Sequence, residues 1–164
     1  MLPAAEPAAT SANLRERRAL GPVLSVMLAA LVVRVPLVLQ PACIDRNGVQ
    51  FVEYARRMDA DAAGAMRVTT RQPAFAAALL VAHRWLSPLL GGAAPESWQR
   101  CGELLALLAG VLACGAVFCL ARRAFDARTA TLAAILVLFW PQGAETSAQV
   151  LSDMPHLAAH LARC

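Results

Sequence analysis

The chain has 164 residues, 59% of them hydrophobic and 16% charged, with a formal net charge of +4. An average soluble domain is about 45–50% apolar and about 25% charged, and a fold this small cannot hide the excess from water, so lipid is the expected solvent. Nucleic-acid binding is also disfavoured: the basic residues are all arginine, and they are scattered or flank apolar runs rather than forming a stripe interleaved with aromatics. The Lys-free, Ala-rich composition points to a GC-rich bacterial genome.

In chain order, residues 1–18 are polar and rich in Ala and Pro and are expected to be a disordered cytoplasmic tail. Residues 19–40 are long and apolar enough for a transmembrane helix, interrupted only by Arg34 and Pro36 near the end. Arg34 is expected to snorkel to the nearby outer rim. A loop over residues 41–97 follows. Within it Phe51, Tyr54, Ala55 and Met58 recur at helical spacing, which predicts a short amphipathic helix over about 49–60. Residues 73–90 carry His83, Arg84 and Ser87 on one arc at 100° per residue, with Phe75, Leu79, Ala82, Trp85, Leu86 and Leu89 opposite. That pattern predicts a helix lying in the membrane interface rather than a span. Further spans are expected at 98–121 and 129–145, joined by a short loop over 122–128, with Trp140 at interfacial depth. Residues 146–164 hold a polar stretch and then the start of a truncated apolar helix.

Charge sets the orientation. Arg15, Arg17 and Arg18 precede the first span, and Arg122, Arg123 and Arg128 lie between the second and third. Three spans put both clusters on the cytoplasmic side, as the positive-inside tendency requires. Arg46, Arg56, Arg57, Arg67 and Arg71 then lie outside, in a long loop where that tendency is weak. The fold class is therefore all-α integral membrane: three transmembrane helices plus the start of a fourth, with extracytoplasmic amphipathic juxtamembrane helices in the first external loop. The expected location is the bacterial cytoplasmic membrane. Cys43, Cys101, Cys114, Cys119 and Cys164 show no CxxC spacing, and Cys114 and Cys119 are expected to be packing residues.

Two polar clusters adjoin the outer face. The first runs from Cys43 through Asp45, Arg46, Asn47 and Gln50 to Phe51. Asn47 could cap the following helix, with Gln50 completing a capping-box-like pair and Asp45 a solvated charge. The second runs from Glu145 through Ser152, Asp153 and Pro155 to His156. Ser152 or Asp153 could cap a helix with Pro155 in its first turn. Taken singly, capping explains each cluster.

In combination they resemble the polyprenyl-phosphate-sugar-dependent membrane glycosyltransferases of the GT-C superfamily, which include protein mannosyltransferases and lipid A aminoarabinose transferases. The resemblance rests on Asp45, Asn47–Phe51 and Tyr54-Ala55-Arg56 after the first span, then Arg71-Gln72-Pro73-Ala74-Phe75 before the juxtamembrane helix. It continues in the turn from Ala121-Arg122-Arg123 through Phe125 to Arg128-Thr129-Ala130, and in Ser152-Asp153-Met154-Pro155 after the third span. It covers about residues 19–160. It implies Asp45 as catalytic general base, and Asp153 as a second catalytic carboxylate that orients the acceptor or holds a divalent metal, Mg²⁺ or Mn²⁺. Asn47, Arg46, Arg71 and Gln72 are implied to bind substrate, with Arg71 the first choice for the phosphate. The implied partners are a polyprenyl-phosphate-linked sugar and membrane lipid. One departure stands out: many relatives place the acidic residue directly before the glycine, where this chain has Asn47. The family continues through many more spans, so the chain is expected to be an N-terminal portion. The alternative is an inactive remnant or a small non-enzymatic scaffold.

Overall fold

The computed structural model describes residues 8–39, 46–70, 73–92, 94–140 and 153–161, and every regular element among them is an α-helix. These are α1 (Ala8–Leu39), α2 (Arg46–Ala60), α3 (Ala62–Val68), α4 (Pro73–Leu90), α5 (Pro95–Ala124), α6 (Ala127–Leu138) and α7 (Asp153–Leu161).

The helix with the longest apolar stretch, α5, organises the rest. With 30 residues, α5 is about 45 Å long, whereas a bilayer core is about 30 Å thick. Its two ends therefore have different neighbours. Phe118 and Ala121 meet Val23 and Val26 of α1, while Leu104 and Leu107 share a cluster with Val33, Val35 and Val38, so α1 and α5 run antiparallel. A Cβ at Gly115 would meet Met27 Cγ at 3.1 Å, so the glycine lets the two helices approach closely. Helix α6 turns back along the same end of α5, with Ala130 and Ala134 beside Phe118 and Leu138 beside the Val111–Cys114 level. Asp126 starts it, accepting hydrogen bonds from the amides of Thr129 (3.2 Å) and Arg128 (3.3 Å).

The first turns of α5 belong to a second layer. Phe51, Tyr54, Ala55 and Met58 of α2 form one cluster with Phe75, Ala76 and Leu79 of α4 and with Trp98 and Cys101 of α5. Gly91 (φ 109°) and Gly92 (φ 69°) end α4 in the left-handed region, and the Gly92 amide bonds back to Ser87 O at 2.6 Å, a helix-terminating pattern that sends the chain back antiparallel into α5. Among the described residues, three segments are long and apolar enough to cross a membrane: Gly21–Leu39, Pro73–Leu90 and Pro95–Ala124, with mean hydropathies of 2.3, 1.2 and 2.6. The least apolar, α4, packs on the charged helix α2 and the first turns of α5.

Three expectations need correction. Helix α2 begins at Arg46, so Asn47 lies inside its first turn rather than at its cap. The faces of α4 are drawn differently: His83 lies buried in line with Phe75 and Leu79, while Trp85 and Leu89 are exposed. Arg34 does not snorkel but is fully buried. A Cα–Cβ bond in a helix tilts toward the N-terminus, so the side chain heads into the bundle and away from the rim beyond Leu39. Helix α6 covers Ala127–Leu138 of the expected third span, and residues 141–145 of that span lie outside the described residues. Helix α3, which was not anticipated, is capped by Asp61, whose carboxylate accepts from Gly64 N at 3.0 Å.

The Asp126 cap makes a pH prediction. Its hydrogen bonds, first that from the Thr129 hydroxyl, hold the Asp126 carboxyl below the usual range. A depressed folded value means the stabilisation is present above the ordinary aspartate range and is lost as pH falls through the folded value. Asp126→Ala is therefore expected to melt below wild type in detergent at neutral pH, with the gap closing once the pH is well below the aspartate range. A gap that persists there contradicts the cap.

Candidate functional site

The polar motifs attach to helix starts, and the packing of those helices decides which motifs are neighbours. Phe51 in α2 and Phe75 in α4 meet edge to face, with ring centroids 5.1 Å apart. Further along, Arg84 of α4 pairs with Asp59 of α2 (Nη2 2.7 Å, Nε 3.2 Å). The first halves meet and the second halves meet, so α2 and α4 run parallel with their N-terminal ends side by side. Leu105 packs against the same cluster, which sets those ends level with the C-terminal end of α1 near Leu104.

An apolar cavity of about 870 Å³ opens at this level. Ala74 and Phe75 from the first turn of α4, Pro155 and His156 from the first turn of α7, and Met27 of α1 line it, along with the α5 face from Leu105 to Ala116. The starts of α4 and α7 therefore border one cavity, and the start of α2 adjoins that of α4.

Of the sequence-derived site residues, Arg46 is the exposed first residue of α2 and Asn47 follows it, exposed, in the same turn. Asp45, which immediately precedes α2 in the sequence, and Arg71 and Gln72, which immediately precede α4, lie outside the described residues. Asp153 is the first residue of α7, with its side chain likewise outside the description. Pro155 falls in the first turn of α7, where its missing N–H needs no partner. Among the described residues no three His, Cys, Asp or Glu side chains come together to hold a metal ion; the Asp153 side chain lies outside them.

Two polar side chains outside this zone have structural partners. His83 Nε2 lies 2.9 Å from Ser97 Oγ, which is itself 2.7 Å from both Gly92 O and Ala94 O. Carbonyls only accept, so the single hydroxyl hydrogen is committed to them and His83 Nε2 is the donor. Its ring stacks on Trp98 at 3.6 Å. His83 thus fastens the α4–α5 turn. Arg84 forms an exposed ion pair with Asp59, a pairing that the spacing within one helix could not reveal.

Residues 97–164, about two-fifths of the chain, match the family model described as dolichyl-phosphate-mannose-protein mannosyltransferase. No curated protein and no solved structure matches the chain. The family match supports a glycosyltransferase of the GT-C superfamily, and together with the long apolar helices it marks an integral membrane protein.

Proposed function

We infer that the chain is part of a GT-C membrane glycosyltransferase that moves a sugar from a polyprenyl-phosphate donor to an acceptor at the extracytoplasmic face. The observation that carries this reading is the apolar cavity whose border includes the first turns of α4 and α7, the two helices introduced by Arg71-Gln72 and Asp153.

The cavity suits a lipid tail. Its lining offers hydrocarbon from four helices, and an isoprenoid chain makes no demand for hydrogen bonds. The headgroup needs the opposite chemistry. Helix N-termini carry unpaired N–H groups and partial positive charge, and they favour phosphate. The adjacent starts of α2 and α4 supply two, and Arg71, directly before α4, adds a full charge that can bind phosphate in a forked geometry. Arg46, Asn47 and Gln72 stand at the same helix starts and are assigned to the sugar and phosphate.

The acceptor hydroxyl or amine is a weak nucleophile. Asp45 takes its proton as the new bond to the sugar C1 forms, the C1–O bond to phosphate breaks, and the phosphate leaves with the electron pair. Cationic and N–H groups around the phosphate stabilise the charge that develops there. Asp153 orients the acceptor. In this arrangement α1 enters from the cytoplasmic side of a bacterial inner membrane, and the α2–α4 layer rests on the outer face. Trp85 and Leu89, 80% and 82% exposed, then meet the lipid headgroup region, where amphipathic aromatic rings are favoured.

The test is transfer of a radiolabelled sugar from polyprenyl phosphate by membranes carrying the protein in its full reading frame. Label appearing in an acceptor, above membranes without the protein, is the expected result. No transfer from any polyprenyl-phosphate sugar would leave the scaffold alternative.

A further inference from the structure

Arg34 has no role in the chemistry above, yet it is a fully buried arginine within an apolar helix, and ionisable groups at membrane depth are seldom there without function. Among the described residues its guanidinium meets two helices: Nη1 lies 3.1 Å from Cys114 Sγ in α5, and Nη2 lies 3.4 Å from Val137 O in α6.

The second contact has a structural reason. Helix α6 has 12 residues, so it covers about 18 Å, too short to cross a bilayer. Its end, Leu138, shares a cluster with Ala30, Leu107, Val111 and Cys114, part-way along α5. A helix end leaves its last carbonyls without intrahelical partners, and in lipid such groups must be satisfied by protein. Ile135 O takes the Phe139 amide at 3.0 Å. Val137 O lies two residues further on, and its i+4 donor would be the amide of residue 141. Residue 141 is proline and has none. Arg34 supplies the missing donor, and its charge opposes the negative end of the helix dipole. A planar fork can reach the sulfur and the carbonyl together; a lysine ammonium would have to choose.

We propose that Arg34 is a positioning residue: its guanidinium caps the C-terminal end of α6 inside the membrane and so fixes where the chain leaves that helix on its way to Asp153. The catalytic consequence rests on the proposed sugar transfer, whereas the cap itself does not.

Arg34→Met and Arg34→Lys in the full-length protein, reconstituted in lipid nanodiscs, test it by two readouts. Amide exchange over residues 135–140 should quicken by about tenfold or more in R34M, the loss of one charge-assisted hydrogen bond, and should stay unchanged over α5. R34K should fall between. Sugar transfer by R34M should lose up to about 10²-fold in kcat, as misplacement of a remote support does, with the donor KM held and part of the rate recovered in R34K. Exchange over 135–140 equal to wild type, or quickened evenly across α1, α5 and α6, overturns the cap. Should R34M fail to insert, Arg34→Gln, which keeps a neutral donor, is read by the same two outcomes. Local exchange that responds in a protein showing no sugar transfer retains the cap and rejects the glycosyltransferase reading.

Discussion

Asp45→Asn is expected to lower sugar transfer by about 10²–10⁴-fold, the usual worth of a positioned general base. The substitution separates two roles that share a position. Asp45 directly precedes α2, where a residue of its type could merely cap the helix. Asparagine caps as well as aspartate does, so a capping role predicts full activity and normal stability in the variant. A base cannot be replaced in this way, because an amide does not accept the acceptor's proton at neutral pH. Asp153→Asn is expected to act in the same direction by the same logic, since Asp153 opens α7. Normal transfer by both variants would return both carboxylates to capping.

Phe75→Ala carries the largest expected effect on stability. Phe75 is 5% exposed and stands where α2, α4 and the cavity meet. Truncating a buried phenylalanine costs about 3–5 kcal/mol. Phe51→Ala, on the other side of the contact, should fall in the same range, and a double-mutant cycle should return a coupling of about 0.5–1.5 kcal/mol for the edge-to-face pair. This layer buries its apolar surface against water and charged residues, so the hydrophobic term applies here as it does not between helices in lipid. Chemical denaturation in detergent, followed by Trp98 fluorescence, measures it. Additive costs with no coupling would mean that the rings do not hold the α2 and α4 starts together.

The helical pattern of α2 was legible because its buried set, Phe51, Tyr54, Ala55 and Met58, is apolar and regularly spaced. Helix α4 was legible as a helix but not in its faces. Reading His83 as an outward polar residue reversed the wheel, since only Ser97 and Trp98, a turn away in the chain, satisfy a buried imidazole. Arg34 failed for a related reason. Its proximity to the outer rim pointed to snorkelling, whereas Cys114 and Val137, which its guanidinium meets, lie 80 and 103 positions away in the chain. The early stop of α6 did have a sequence signal in Pro141, which bars a helical amide four residues after Val137. For the candidate site, the motif order pointed to helix starts, but only the parallel packing of α2 on α4 shows that two of those starts are adjacent.

The most direct measurement is topological. Single cysteines at positions 45 and 153, in a protein whose five native cysteines have been replaced, are exposed to a membrane-impermeant maleimide on intact cells. Both positions should react from outside, placing the two carboxylates where one sugar acceptor can reach them. Reaction of one position from outside and of the other only after the membrane is opened would put them across the bilayer from each other, and the shared site could not exist.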